Sequence, residues 1–285
     1  MAPFSASVLG TLYIVATPIG HRDDISFRAQ EVLRTVDCIF AEDTRHSLPF
    51  LTSLGVKKPV KALHAHNEAT QGEQVLNLLR SGKSCALISD AGTPLISDPG
   101  YVLVHWARQE GIPVVPVPGP SALITALSAA GVSTDVFTFG GFLPAKAVAR
   151  RSKLTAFFEL PHTLVFYEST HRLIDSIEDI ASVFGASCEL VLAKELTKTF
   201  ECFVSGSCTE VLAWLQEDPA YKKGEFVLII PARTQKPASE RRMDHDLLVL
   251  LAELPLKQAV KLASQLTGRP KNELYTRALA LTAKE

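Results

Sequence analysis

Residues 89–100, Ser-Asp-Ala-Gly-Thr-Pro-Leu-Ile-Ser-Asp-Pro-Gly, decide how the rest of the chain is read. The apolar run Cys85-Ala86-Leu87-Ile88 leads in and an amphipathic run beginning at Asp98 leads out, which predicts strand, loop, helix. In open α/β sheets, ligands sit at the carboxyl ends of strands, on loops of this kind. Gly92 and Gly100 permit close backbone approach, Pro94 and Pro99 stiffen the loop, and Ser89, Asp90, Thr93, Ser97 and Asp98 supply polar atoms. Two readings fit: a tight connection in which Asp98 caps the helix, or a ligand cradle.

Strands are further expected at Thr11–Ala16, Cys38–Ala41, Val60–Leu63 and Val114–Val117. Helices are expected after a Ser26 cap, at Leu48–Leu54, at Gln74–Leu79 and from the 118–122 turn to about Ala130. The strands end in Thr17-Pro18-Ile19-Gly20, Glu42-Asp43-Thr44-Arg45, His64-Ala65-His66-Asn67-Glu68, the 89–100 loop and Pro118-Gly119-Pro120-Ser121-Ala122. Near-continuous apolar strands alternating with helices imply a mainly parallel sheet covered on both faces, with all these loops on one edge. From Phe137 onward strands dominate at short spacing, which implies a second, mixed sheet.

The expected fold class is therefore α/β, with domains at 10–133 and 134–231, a polar linker at 232–243 and a helical module at 244–285. The module's helices are expected near Asp244–Leu251, Lys257–Leu266 and Lys271–Leu281, with helix-turn-helix-like spacing. Leu247, Leu248, Leu251, Ala259, Leu262, Ala263, Leu266, Leu274 and Leu279 are its expected core. The net charge of −1 conceals a split, because residues from 232 onward hold 10 Lys and Arg against 6 Asp and Glu. A basic tail on an acidic body points to an anionic macromolecular partner. Five scattered cysteines without C-x-x-C spacing read as reduced, and no signal peptide or unbroken membrane span is found, so the cytoplasm is expected.

Several motifs fail on inspection. Ser81-Gly82-Lys83-Ser84 has Asn77 where a phosphate loop needs glycine, and it precedes its strand. Gly140-Gly141 is not part of a G-x-G-x-x-G pattern, and no G-x-S-x-G elbow occurs. His64-x-His66 has no third residue at the spacing of a metal site, so no metal is assigned. Glu42, Asp43 and Arg45 fit either an ion pair with a helix cap or a cluster that orients substrate. Glu168, His171 and Arg172 pose the same choice, and Lys194-Glu195-Leu196-Thr197-Lys198 sits where it could face the first sheet across a cleft.

Taken together, T-L-Y-I-V-A-T-P-I-G, A-E-D-T-R, H-N-E, S-D-A-G-T-P-L-I-S-D-P-G, P-G-P-S-A, F-Y-E-S-T-H-R and E-L-T-K resemble the tetrapyrrole-methylase superfamily. Within it they are most similar to its 16S ribosomal RNA (cytidine-2′-O)-methyltransferase branch, over roughly residues 10–231 and again in the tail motifs L-P-L-K and K-N-E-L-Y. The resemblance implies two α/β domains, S-adenosylmethionine in the cleft between them, a homodimer, and methylation of a decoding-centre cytidine of the small ribosomal subunit. It places the cofactor at Thr93, Ile96, Ser121, Ala122, Tyr167 and Leu196. Glu42, Asp43, Lys194 and Glu195 are the candidates for accepting the hydroxyl proton or stabilising the developing alkoxide. RNA contacts are expected at Arg45, His66 and Arg172, at Lys146, Arg150 and Arg151, and in the tail at Arg241, Arg242, Lys257, Lys261, Arg269 and Lys271. Neither a membrane nor DNA is an expected partner. Two positions depart from the family pattern: His21-Arg22 replaces Asn-Leu after Gly20, and Ala65 replaces an acid. A corrin or porphyrin C-methylase, or a ribosome-binding protein without chemistry, would share the fold.

Overall fold

The structure, a computed structural model, describes residues 9–233 and 238–282. The described residues fall into two compact units, one of residues 9–158 and 162–232, the other of the helical residues 238–282 with Glu159–Pro161 and Arg233.

The first sheet holds β1 (Leu12–Val15), β2 (Cys38–Ala41), β3 (Val60–Ala62), β4 (Cys85–Ile88) and β5 (Val114–Val117), all parallel, in the order β3-β2-β4-β1-β5. β2 and β4 are buried along their whole length, as a sheet covered on both faces requires. Covering it are α1 (Phe27–Thr35), α2 (Thr44–Ser53), α3 (Glu68–Arg80), α4 (Tyr101–Gln109) and α5 (Ala122–Ala129). One layer of the core joins Leu12, Phe40 and Leu87 to Leu76, Leu79 and Leu103; the other joins Val15, Ile39 and Ile88 to Ala29, Leu33 and Leu51.

The second sheet runs β6 (Phe137–Phe142), β7 (Thr163–Ser169), β10 (Glu225–Ile230), β8 (Glu189–Lys194) and β9 (Cys202–Ser207). Only the β6–β7 pair is parallel, so the sheet is mixed, as expected. Its helices are α6 (Ala147–Phe157), α7 (Leu173–Phe184) and α8 (Cys208–Glu217), the last opened by a Ser207–Glu210 capping box. The face of this sheet carrying Val165, Val191, Ala193, Val227 and Ile229 packs on Leu123, Ala126 and Leu127 of α5. The two sheets thus share one apolar seam.

The second unit consists of α9 (Ala238–Glu253), α10 (Leu256–Thr267) and α11 (Lys271–Thr282). The helix begins at Ala238, inside the stretch expected to be a linker over 232–243, of which 234–237 lie outside the described residues. Met243, Leu247, Val260, Ala263, Leu274 and Ala278 form its core. Leu248, Leu262, Leu266 and Leu279, expected there, are exposed instead. Each falls off the buried face of its helix, where Met243, Val260 and Ala278 stand.

Within the first sheet's half, three helix starts were misjudged, all at its functional edge. α2 starts at Thr44 with Asp43 as N-cap, and α3 starts at Glu68, each earlier than the apolar periodicity indicates. α4 starts at Tyr101 after Gly100, and Asp98 is not its cap. Its orphan donors are met from another helix: Glu68 Oε1 accepts from the N–H groups of Gly100, Val102 and Leu103 at 3.0, 2.8 and 3.4 Å. Glu68→Ala leaves those donors in a part-buried site, so urea unfolding should show a loss of about 2 kcal/mol. A loss under 0.5 kcal/mol would mean that solvent replaces the cap.

Candidate active site

The 89–100 loop is tied to its two neighbours by hydrogen bonds. Thr17 and Gly92 exchange N–H···O bonds of 2.9 and 3.0 Å, and Thr93 Oγ1 donates to the Pro120 carbonyl at 2.9 Å. The buried Ser89 hydroxyl turns inward to the Ala91 carbonyl at 3.2 Å. The loop bends sharply enough to place Leu95 and Ser97 at φ +72° and +71°. Beyond the strand end of β8, Glu195 and Thr197 take φ +50° and +62°. These four are the non-glycine residues of positive φ among the described residues, and such backbone strain persists where the surroundings over-determine it. The 195–198 turn is indeed clamped. Glu195 Oε1 accepts from Lys198 Nζ and from the Glu225 N–H, both at 2.9 Å, and the His21 N–H donates to Thr197 Oγ1 at 3.0 Å. Gly20 is required beside it, since a Cβ there would stand 2.6 Å from Thr197 Oγ1.

Between the two loops lies a cavity of about 600 Å³. Thr93, Ile96, Ser121, Ala122, Tyr167 and Leu196, the six residues expected at the cofactor, all lie on its wall. Tyr167 joins the two halves: its Oη accepts from the Leu123 N–H at 3.0 Å, and burial pushes its phenol pKa up.

Five acidic residues, Glu42, Asp90, Asp98, Glu168 and Glu225, line this cavity, the first three of them on the strand-end loops of the first sheet. Asp98 is pushed up to about 6 by burial first and then by the Glu42 and Asp90 charges, against the pull of the Ser89 hydroxyl. Burial, with help from Asp90, raises Glu42 as well. Asp90 is anchored differently, accepting from the Asp43 N–H at 3.0 Å and lying 3.2 Å from His46 Nδ1. The sequence reading counted Asp90 and Asp98 among the polar groups of the loop but not among the candidate proton acceptors, and Ser97-Asp98-Pro99-Gly100 ahead of a helix reads as a capping motif for Asp98. Only the distant Glu68 cap frees Asp98 for the cavity.

The other expected residues divide. Asp43 caps α2 and grips Arg45, whose guanidinium holds it down to about 2, and neither lines the cavity. Lys194 is buried at the end of β8, and Glu195 lies behind the wall residues Gly224 and Glu225. Burial raises the Glu195 pKa, but the Lys198 ammonium and the Glu225 N–H outweigh it and leave it lowered. Arg172 is tied to Glu168 at 3.0 Å and to the Leu143 carbonyl at 3.1 Å. Arg150 cannot reach RNA. Its side chain is 3% exposed, bonded to Asp179 at 2.6 Å and to the Pro144 and Ala145 carbonyls. Arg151 shares Asp179 at 2.9 Å but is half exposed. Arg45, His66, Lys146, Lys257, Lys261 and Lys271 are exposed, Arg269 pairs with Glu273, and the side chains of Arg241 and Arg242 lie outside the described residues.

Residues 11–212 match the family of Tetrapyrrole (Corrin/Porphyrin) Methylases, and 237–282 match the RsmI C-terminal HTH domain. Ribosomal RNA small subunit methyltransferase I of Escherichia coli O157:H7 is 53% identical, covering 95% of both chains. The proteins of that name from Pseudomonas aeruginosa and Xylella fastidiosa are 51% and 50% identical, covering 96% and 94% of this chain and 99% of their own. The chain belongs to the ribosomal RNA small subunit methyltransferase I family. Among solved structures it resembles diphthine synthase (TM-score 0.63, 13% identity, covering 80% of this chain and 92% of the other). It also resembles uroporphyrin-III C-methyltransferase of Thermus thermophilus (TM-score 0.56, 20% identity, 78% and 94%). At these identities the likeness concerns the fold.

The chain is therefore a methyltransferase that uses S-adenosylmethionine. The cavity suits that molecule. Its volume falls within the roughly 300–1,000 Å³ usual for ligand sites, Ile19, Ile96, Ala122 and Leu196 give it apolar walls, and its carboxylates complement a sulfonium and an ammonium group.

With the Asp98 pKa raised above its unfolded value, the folded chain holds the extra proton between about pH 4 and 6. Its contribution to unfolding free energy therefore falls as pH rises through that window. Asp98→Asn should remove this slope, seen as a difference between urea titrations of the two proteins at pH 4.5 and 7. Parallel pH dependences would place Asp98 in ordinary solvent.

Proposed function

We propose that this methyltransferase modifies the ribose 2′-oxygen of a cytidine in the decoding centre of 16S ribosomal RNA, as a cytoplasmic homodimer. The observation that carries the RNA substrate is the name shared by relatives about half identical over nearly the whole chain, helical unit included. The helical unit supplies a physical reason. Residues 254–282 hold five Lys and Arg (Lys257, Lys261, Arg269, Lys271 and Arg277) against one acid, Glu273, which pairs with Arg269. Such charge binds a phosphate backbone and weakens with salt.

When bound, S-adenosylmethionine supplies an electrophilic methyl group on a positively charged sulfur. The protein's part is to align the hydroxyl, which is worth roughly 7–11 kcal/mol of barrier in favourable cases, and to take its proton. Of the four candidates, Glu42 keeps that role, with Asp98 beside it on the same wall. Their raised pKa values make them stronger proton acceptors than Asp43, held near 2, or Glu195, lowered by Lys198. Thr93, Ile96, Ser121, Ala122, Tyr167 and Leu196 hold the cofactor in this reading.

The test is methylation of small subunits from cells lacking this activity, followed by nucleoside mass spectrometry. One 2′-O-methylcytidine per particle is expected, and label on a base carbon, or none, refutes the assignment. Removing residues 235–285 should cut methylation at least about tenfold and leave S-adenosylhomocysteine affinity unchanged. Full activity of the truncated chain would exclude RNA docking by the helices.

A further inference from the structure

Gly140-Gly141 matches no dinucleotide-binding pattern, yet the structure gives the pair a specific role. Along β6, Phe139 pairs with Val165, but Phe142, and not Gly141, pairs with Tyr167. The extra residue is a β-bulge, and a slip of one residue sends the following side chain to the opposite face. Phe142 therefore lies on the same face as Phe139, and both rings meet Tyr167 edge-on, at centroid distances of 5.6 and 4.8 Å. Glycine is needed at both bulge positions. A Cβ on Gly140 would stand 2.3 Å from Phe166 Cε1, and Gly141 has φ +62°.

The bulge delivers Phe142 to the cavity wall with 47% of its surface exposed. The Arg172 guanidinium lies 5.8 Å from the ring centroid, within cation–π range. Arg172 is held there by Glu168 at 3.0 Å, Ser169 Oγ at 3.2 Å and the Leu143 carbonyl at 3.1 Å. Glu168 in turn is buried and receives the Ser176 hydroxyl at 2.6 Å and the Ser169 N–H at 2.8 Å. A phenyl ring half open to solvent, aimed by a glycine-dependent bulge and backed by a fixed guanidinium, contributes little to the core. It matches the π-face of a nucleobase.

We infer that Phe142 and Arg172 form the platform on which the target nucleotide's base stacks once that nucleotide is turned out of the RNA. The inference rests on the proposed RNA substrate. A ribose hydroxyl reaches an enclosed methyl donor only if its nucleotide leaves the stack, and an aromatic platform offsets the lost stacking. The adenine of the cofactor has the same chemistry, and the test separates the two.

Full-length wild-type, Phe142→Leu and Phe142→Tyr proteins are compared for kcat/KM on small subunits and for S-adenosylhomocysteine affinity by calorimetry. Phe142→Leu, which stays apolar but cannot stack, should lose roughly 10- to 100-fold in kcat/KM, and Phe142→Tyr should stay within about threefold of wild type. Cofactor-product affinity should be unchanged in both, which also shows that the cavity has folded. Wild-type kcat/KM in Phe142→Leu, or an equal loss in Phe142→Tyr, overturns the platform. So does a parallel loss of S-adenosylhomocysteine affinity, which assigns the ring to adenine. A readout without turnover separates failure of the platform from failure of the substrate assignment. The probe is a single-stranded RNA with 2-aminopurine at the target position, whose fluorescence the wild type should quench and Phe142→Leu should not. Quenching by the wild type with no methylation of small subunits refutes the substrate assignment alone, and binding of the probe, seen by fluorescence anisotropy, without quenching refutes the platform.

Discussion

Docking of α5 on the second sheet fixes the rest of the active region. Ala126 is small enough to let the helix approach closely, and Leu127 fills the space among Val165, Val191, Ala193, Val227 and Ile229. The same helix follows directly from the turn whose Pro120 carbonyl holds Thr93, and its first turn donates to Tyr167. One packed seam therefore sets the distance between the 89–100 loop and the 195–198 turn. Backbone strain at Leu95, Ser97, Glu195 and Thr197 is sustained beside that seam, to which the loops themselves contribute the buried Ile19 and Leu196.

The parts of the fold that depend on local pattern were legible in the sequence. Cys38–Ala41, Cys85–Ile88 and Val114–Val117 stand where continuous apolar runs place them. The strand-end loops follow from the β-α alternation alone. The six wall residues at the proposed cofactor came from motif resemblance, which carries three-dimensional information that spacing does not.

The errors share one physical origin, a partner far away in the sequence. Arg150-Arg151 reads as surface charge until Asp179 is found beneath it. Asp98 reads as a cap until Glu68 is found doing that work from another helix. Gly140-Gly141 has no local meaning, and becomes a bulge only against the register of β7. In the helical unit the periodicity located the helices, but their rotation about their own axes was set by neighbours, so Ala278 is buried and Leu279 is not. Charge is distributed on a longer scale. The chain up to residue 231 carries a net −5 and concentrates acids at the cavity, while the tail carries +4. An enzyme handling a cationic donor and a polyanionic acceptor gains from keeping the two signs on separate modules.

The contact between Glu68 and the start of α4 has an electrostatic consequence for the kind of ligand the fold selects. In many nucleotide-binding α/β proteins, the helix that follows a strand-end loop points its positive amino terminus at a phosphate. Here an internal carboxylate already occupies that terminus and neutralises it. The start of α4 is thus closed to an anion by the chain itself, and the strand-end loops give the cavity Glu42, Asp90 and Asp98 instead. A site built on a topology shared with phosphate binders has been inverted in sign.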